Sequence, residues 1–178
     1  VISVSAPRNN FQLDEAPAET ILVAGGIGIT PLLSMAEVQA RRGKRFALHY
    51  FARSRDHAAF VGRIGASATL SASSHFHFGN DAPEVQEALA RILQSRAVGA
   101  HVYICGPAGF IDTAGEVARR AGMTAAEVHV EHFNAEVSTV GAIFTVVAQR
   151  SGVEVVVGES QTIAQCLMAR GIPVEMSC

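Results

Sequence analysis

The sequence predicts an α/β protein: a doubly wound, parallel five-stranded sheet over residues 20–133, followed by a short β-β-α segment. Three observations carry this. Short apolar runs alternate with stretches of helical period from Thr20 to Phe133, the pattern of a parallel sheet covered on both faces. Two of those runs end in glycine-bearing turns, GGIGITP at 25–31 and CGP at 105–107. Beyond residue 139 the period changes, and two β-patterned runs flank Arg150-Ser151-Gly152 before a helix closed by Gly171.

Bulk properties exclude several function classes. The chain has 178 residues, 49% of them hydrophobic, a mean hydropathy of +0.26 and no Trp, which describes an apolar chain with ample core material. A net charge of −2 with scattered signs provides neither a nucleic-acid stripe nor a polybasic membrane patch, so neither partner is expected. No apolar run is long enough to span a bilayer and no signal peptide opens the chain. Three widely spaced cysteines do not make a disulfide framework; they fit reduced cytoplasmic thiols or a broken metal motif. A chain that starts without Met and stops on Cys178 is expected to be a fragment.

In order, Val1 to Leu13 starts as a strand, breaks at Pro7 and turns at Arg8-Asn9-Asn10-Phe11, and 14–19 is a linker. Ile21-Leu22-Val23-Ala24 is the first buried strand. Gly25 to Ile29 is the turn, with Thr30 expected as N-cap and Pro31 at the first helical position. Leu32, Met35 and Ala36 continue at helical spacing to Arg41-Arg42-Gly43-Lys44. Such a strand, turn and helix N-terminus form an anion cradle, or a tight turn with no ligand. Gly26-x-Gly28 begins as a dinucleotide fingerprint, but Pro31 replaces its third glycine and no acid stands about twenty residues on.

Arg45 to Phe51 is the second strand. Arg53 and Arg55 follow at its carboxyl end, where they grip a phosphate or are solvated. Ala58 to Ile64 reads as a short helix and Gly65 to Ser74 as loop. His75-Phe76-His77-Phe78 is the third strand, its H-x-H pair having no third ligand near in the sequence, so it is not read as a metal site. Asp81-x-x-Glu84 opens a helix carrying Val85, Leu89, Ile92 and Leu93. His101 to Ile104 is the fourth strand, ending in Cys105-Gly106-Pro107; the thiol projects into the gap above the strand end, or is a buried cysteine before a turn. A helix with Ile111, Ala114, Val117 and Ala118 follows, Thr124-x-x-Glu127 caps a turn, and Val128 to Phe133 is the fifth strand. Residues 134–140 are a linker. Ile143–Val147 and Val153–Val157 form a hairpin and Thr162 to Arg170 a helix, too little to bury a core alone.

GGIGITP, VYICGP at 102–107, EHF at 131–133 and the β-β-α segment ending in Ser177-Cys178 together resemble the phthalate dioxygenase reductase/vanillate demethylase reductase group of the ferredoxin–NADP reductase superfamily. The resemblance covers almost the whole chain. It implies the end of a flavin-binding β-barrel domain at 1–13, an NAD-binding domain at 20–133, and the truncated first half of a β-grasp [2Fe–2S] ferredoxin domain at 141–178. Carried over, Gly25, Gly26, Gly28, Ile29, Thr30 and Pro31 shape the pyrophosphate and nicotinamide site, and Cys105, Gly106 and Pro107 line the nicotinamide pocket. Glu131 and Phe133 match the pair whose aromatic ring covers the flavin, and Thr30, Cys105 and Glu131 stand closest to the chemistry. Arg53 lies where the 2′-phosphate of NADPH would sit, although the group mostly uses NADH. Cys178 is the first iron ligand. The implied function is a monomeric cytoplasmic reductase passing electrons from NADH through FMN to a [2Fe–2S] cluster and on to a terminal Rieske-type oxygenase or demethylase of aromatic compounds. With flavin and cluster sites incomplete, this chain alone is expected to be inactive. The alternatives are a flavin reductase or ferredoxin–NADP reductase relative without a ferredoxin domain, and a non-enzymatic nucleotide-binding module.

Overall fold

The computed structural model describes residues 9–14, 16–133 and 141–174. The chain divides into two compact units, residues 1–133 and 134–178. In the first, β1 (Thr20–Gly25) leads through a 3₁₀ turn at Gly26–Gly28 into α1 (Ile29–Arg41). β2 (Phe46–Ala52), α2 (Val61–Gly65), α3 (Ala68–Ala72), β3 (Ser74–Phe78), α4 (Ala82–Gln94), β4 (His101–Cys105), α5 (Ala108–Arg120) and β5 (Val128–Glu131) follow. The five strands are all parallel, in the order β3-β2-β1-β4-β5. This is the doubly wound sheet that the alternating pattern predicts, and strand order reverses between β1 and β4.

Side-chain alternation sorts the core onto two faces. Leu22, Ala24, Leu48, Tyr50, Tyr103 and Cys105 pack against α1, Ile64 and Leu70 on one side. Ile21, Val23, Phe51, Val102 and Ile104 pack against α4 and α5 on the other. Leu22, Val23, Leu48 and Ile104 are fully buried, each worth about 1.5–3 kcal/mol of transfer from water. Polar stitches fix the register at the sheet's amino end. Gln39 Nε2 donates to Thr20 Oγ1 at 2.7 Å inside the core. The buried Glu19 carboxylate accepts from Ala97 N and pairs with Arg45 at 2.8 Å.

Two local expectations change. Residues 65–74 are not all loop: Ser67 accepts a bond from Leu70 N and starts α3, whose Leu70 is buried. A single capped turn with one apolar anchor leaves too little periodicity to read. Thr30 is not an N-cap either. Gly28 holds that position, and Thr30 Oγ1 donates to Ile27 O at 3.1 Å. The preceding 3₁₀ turn starts the helix early, and Pro31 still falls in its first turn, where an amide is dispensable.

In the second unit, β6 (Phe144–Ala148) and β7 (Val153–Val157) pair as an antiparallel hairpin, followed by α6 (Ile163–Ala169). Thr162 and Gln165 form a reciprocal capping box, and Gly171 adopts φ 75° beyond the helix end. Val155, Val157 and Cys166 are its buried residues among those described. This β-β-α order fits the first part of a ferredoxin-like segment. No helix among the described residues is long and apolar enough to cross a membrane.

Candidate functional site

The β1–α1 and β4–α5 turns lie side by side at the carboxyl ends of two paired strands, where the strand order reverses and open α/β sheets form a crevice. They are in backbone contact. A Cβ on Gly28 would come within 2.0 Å of the Cys105 carbonyl oxygen, and one on Gly106 within 3.0 Å of the Gly25 oxygen. Gly26 has φ +52°, a left-handed conformation that glycine adopts without strain. α1 leaves this point on one face of the sheet and α5 on the other.

Of the three thirteen-residue helices, only the two that start here lack a side-chain cap; the five-residue α2 also begins without one, at Phe60. α3, α4 and α6 receive side-chain caps from Ser67, Asp81 and Thr162. α1 starts from Gly28 and α5 from Pro107, with no side-chain cap bond at either. Two uncapped helix N-termini thus converge on one crevice, leaving first-turn amides and positive dipole ends for an anion.

Cys105 does not open into the gap. Its thiol is fully buried, because its position on β4 points it toward α1 and the Gly28 contact closes the turn above it. Burial, and next the Glu131 carboxylate, push it up to about 11, so it is a neutral thiol at physiological pH. Glu131 is its register partner on β5. Glu131 and Pro31 line an open groove of about 560 Å³ whose other wall is Asn9 to Leu13. That segment is strapped down: Asp14 N donates to Tyr103 Oη at 2.7 Å, and Phe11 packs 5.6 Å from the Tyr103 ring.

The remaining predicted site residues are dispersed. The Ile29 side chain is buried in the core, leaving only its backbone to face the crevice. Thr30 and Pro107 are exposed at the two helix starts. Arg53 is exposed just beyond β2. Phe133, 49% exposed, lies beyond the end of β5. Cys178 lies outside the described residues. Sequence reading missed Phe110, whose ring would meet a Cβ on Gly25 at 2.7 Å and so closes over the turn; its position on α5 carries no motif. It missed His49 too, which stacks on His75 at 4.7 Å from the neighbouring strand. Among the described residues, however, no group of three or more His, Cys, Asp or Glu is arranged to hold a metal ion.

The N-terminal-domain family of dimethylamine monooxygenase subunit DmmA-like proteins matches residues 2–128. The chain belongs to the DmmA-like family. The DmmA-like chain is 39% identical over 179 residues to the vanillate O-demethylase oxidoreductase of Pseudomonas sp. (strain HR199 / DSM 7063), covering 99% of this chain and 56% of that protein. It is 36% identical to the carnitine monooxygenase reductase subunit of Acinetobacter baumannii, over 99% of this chain and 54% of the relative. The DmmA-like fold superposes on phthalate dioxygenase reductase, a modular structure for electron transfer from pyridine nucleotides to [2Fe–2S], with a TM-score of 0.67 and 32% identity. That match covers 98% of this chain and 54% of the other. These are members of the group that the four motifs resemble. The DmmA-like chain spans about 55% of the length of such relatives.

Proposed function

We propose that the chain is the nucleotide-binding part of an NADH-dependent reductase that serves a terminal oxygenase, of Rieske type, acting on an aromatic compound. The observation that carries this reading is the pair of uncapped helix N-termini meeting at the topological switch point. Residues 20–133 hold the dinucleotide. Gly25, Gly26 and Gly28 let its pyrophosphate approach the backbone, while Thr30, Pro31, Gly106 and Pro107 border the nicotinamide. Cys105 contributes a neutral wall beneath them. Glu131, with Asn9 to Phe11 across the groove, faces the flavin side, and Phe133 covers it.

When bound, the nicotinamide supplies a hydride, and FMN with a [2Fe–2S] cluster converts that electron pair into single electrons. Residues 1–13 are the end of the flavin domain, 134–140 a linker, and 141–178 the start of the ferredoxin domain with Cys178 as first iron ligand. The protein is a cytoplasmic monomer. Relatives named as oxidoreductases and reductase subunits of oxygenase systems support the reading.

Calorimetric titration with NADH and NADPH tests it. NADH is expected to bind one per chain, more tightly than NADPH. A preference for NADPH would assign Arg53 and Arg55 to its 2′-phosphate, and no binding of either nucleotide would overturn the reading.

A further inference from the structure

A second groove, of about 540 Å³, lies on the α4–α5 face of the sheet, over the amino halves of β1 and β2. It is remote in the fold from the crevice, since Glu19 and Arg45 at its rim precede the first residues of those strands. α2 and α3 pack on the opposite face and α4 leans on α5, so no helix among the described residues covers β2 and β3 here. The floor is apolar: Ile21, Ala47, Ala88 and Ile92.

One wall is a tier of imidazoles. His49 stacks on His75 with the rings 17° from parallel, and His77 stacks on Phe51 at 4.2 Å. His49 Nδ1 and His77 Nε2 share a hydrogen bond at 3.2 Å. Burial, reinforced by the neighbouring histidines, holds His49 down to about 3, and burial lowers His77. These two rings are therefore uncharged at neutral pH, each with a face stacked on a neighbouring ring.

The cations divide unequally. Arg45 is engaged by Glu19 and Arg96 by the carbonyls of Leu93 and Ala121. The Arg91 side chain, exposed on α4 and close enough to His77 to influence its titration, forms no hydrogen bond or ion pair with the described residues. The groove therefore combines an apolar floor, planar rings at one wall and a single uncommitted guanidinium. A guanidinium fork suits a carboxylate, a wall of uncharged rings suits an aromatic ring in a tilted or offset contact, and the volume suits a small organic molecule.

We propose that this groove is a second ligand site, for an aromatic monocarboxylate, separate from the dinucleotide crevice. The free guanidinium fork matches a carboxylate, and the apolar floor disfavours strongly hydrated inorganic phosphate.

Calorimetry with benzoate, benzyl alcohol and inorganic phosphate on the purified protein tests this. Benzoate should bind one per chain, with an affinity on the order of millimolar or tighter given its small size. Benzyl alcohol should bind about tenfold more weakly, and Arg91→Gln should weaken benzoate about tenfold. His75→Ala, removing the exposed end of the ring tier, should weaken it several-fold. Both side chains are exposed, and circular dichroism verifies that the variants fold. Saturating NADH should leave benzoate affinity unchanged. The proposal is overturned if benzoate fails to bind at about 10 mM, if phosphate binds equally well, if Arg91→Gln has no effect, or if NADH competes. Apart from competition, which requires that NADH binds, none of these outcomes bears on NADH binding, and a failure of NADH to bind leaves the benzoate, phosphate and Arg91→Gln results to decide the groove, so the two readings fail separately.

Discussion

A methyl group on Gly28 would collide with backbone, not with a side chain that could swing away: the Cys105 carbonyl carbon at 2.3 Å and Gly106 N at 2.6 Å. Gly26, two residues earlier, has open space around its absent Cβ and only its φ of +52° to protect. The two alanine variants should therefore separate. Gly26→Ala is expected to cost about 1–2 kcal/mol for a left-handed non-glycine residue. Gly28→Ala should cost about 3 kcal/mol or more, the upper range of overpacking, because two chain turns must part. Urea denaturation of both variants checks the order; equal losses would mean that the turns are not in contact. The Gly26-x-Gly28 spacing was legible in the sequence, but its reason at Gly28 was not, since the clashing atoms lie about eighty residues away. The same blindness affected Cys105. Strand alternation gives its face, but only α1 and Gly28 determine that the thiol is covered.

Among the three long helices, capping separates α4 from the two that start at the crevice. Asp81 and Glu84 bond reciprocally at 2.9 Å to start α4, whereas α5 begins at Pro107 with no side-chain cap. Pro107→Asp would supply an acceptor for the first-turn amides together with a negative charge. It is expected to stabilise the fold by about 0.5–1 kcal/mol while weakening NADH binding at least several-fold, since the carboxylate occupies the anion's place. Asp81→Ala should do the reverse, losing about 1 kcal/mol with nucleotide affinity intact. A thermal melt and a nucleotide titration on each variant decide this, and an unchanged NADH affinity in Pro107→Asp would remove α5 from the site. The capping box at Asp81 was legible because both partners stand three residues apart; at Thr162 the sequence reading gave the helix but not its box with Gln165. α1 was placed correctly but its start was not, because Thr30-Pro31 has the composition of a cap while the 3₁₀ turn before it is set by packing. The strap from Asn9 to Asp14 was read only as turn and linker; its anchor on Tyr103 is a contact across 89 positions that no local pattern encodes.

All seven histidines and both tyrosines lie between residues 49 and 132, in the first unit, and the chain has no Trp. Tyrosine fluorescence therefore reports on the unit whose stability the histidines control. His49 is held down to about 3, chiefly by burial and then by His75 and His77, and burial lowers His77 and His129 as well. Unfolding restores each to the ordinary value near 6.5. Below that pH the unfolded chain binds protons that the folded chain refuses, so folding stability falls as pH falls. For His49 the loss continues down to about pH 3, where the folded state too becomes protonated. Glu116, held near 2 first by its hydrogen bonds to Arg119 and then by Arg120, and Glu127, held low by Thr124, stay ionised above pH 5. The interval from pH 6.5 to 5 thus isolates the histidines. Urea titrations followed by tyrosine fluorescence should show stability declining there by about 1.4 kcal/mol per pH unit for each fully refused proton. His49→Phe keeps a flat ring against His75 but cannot titrate, and should remove about one proton's worth of that slope. A profile flat between pH 7 and 5, or one unaltered by His49→Phe, would show that the imidazole tier is open enough to protonate in place.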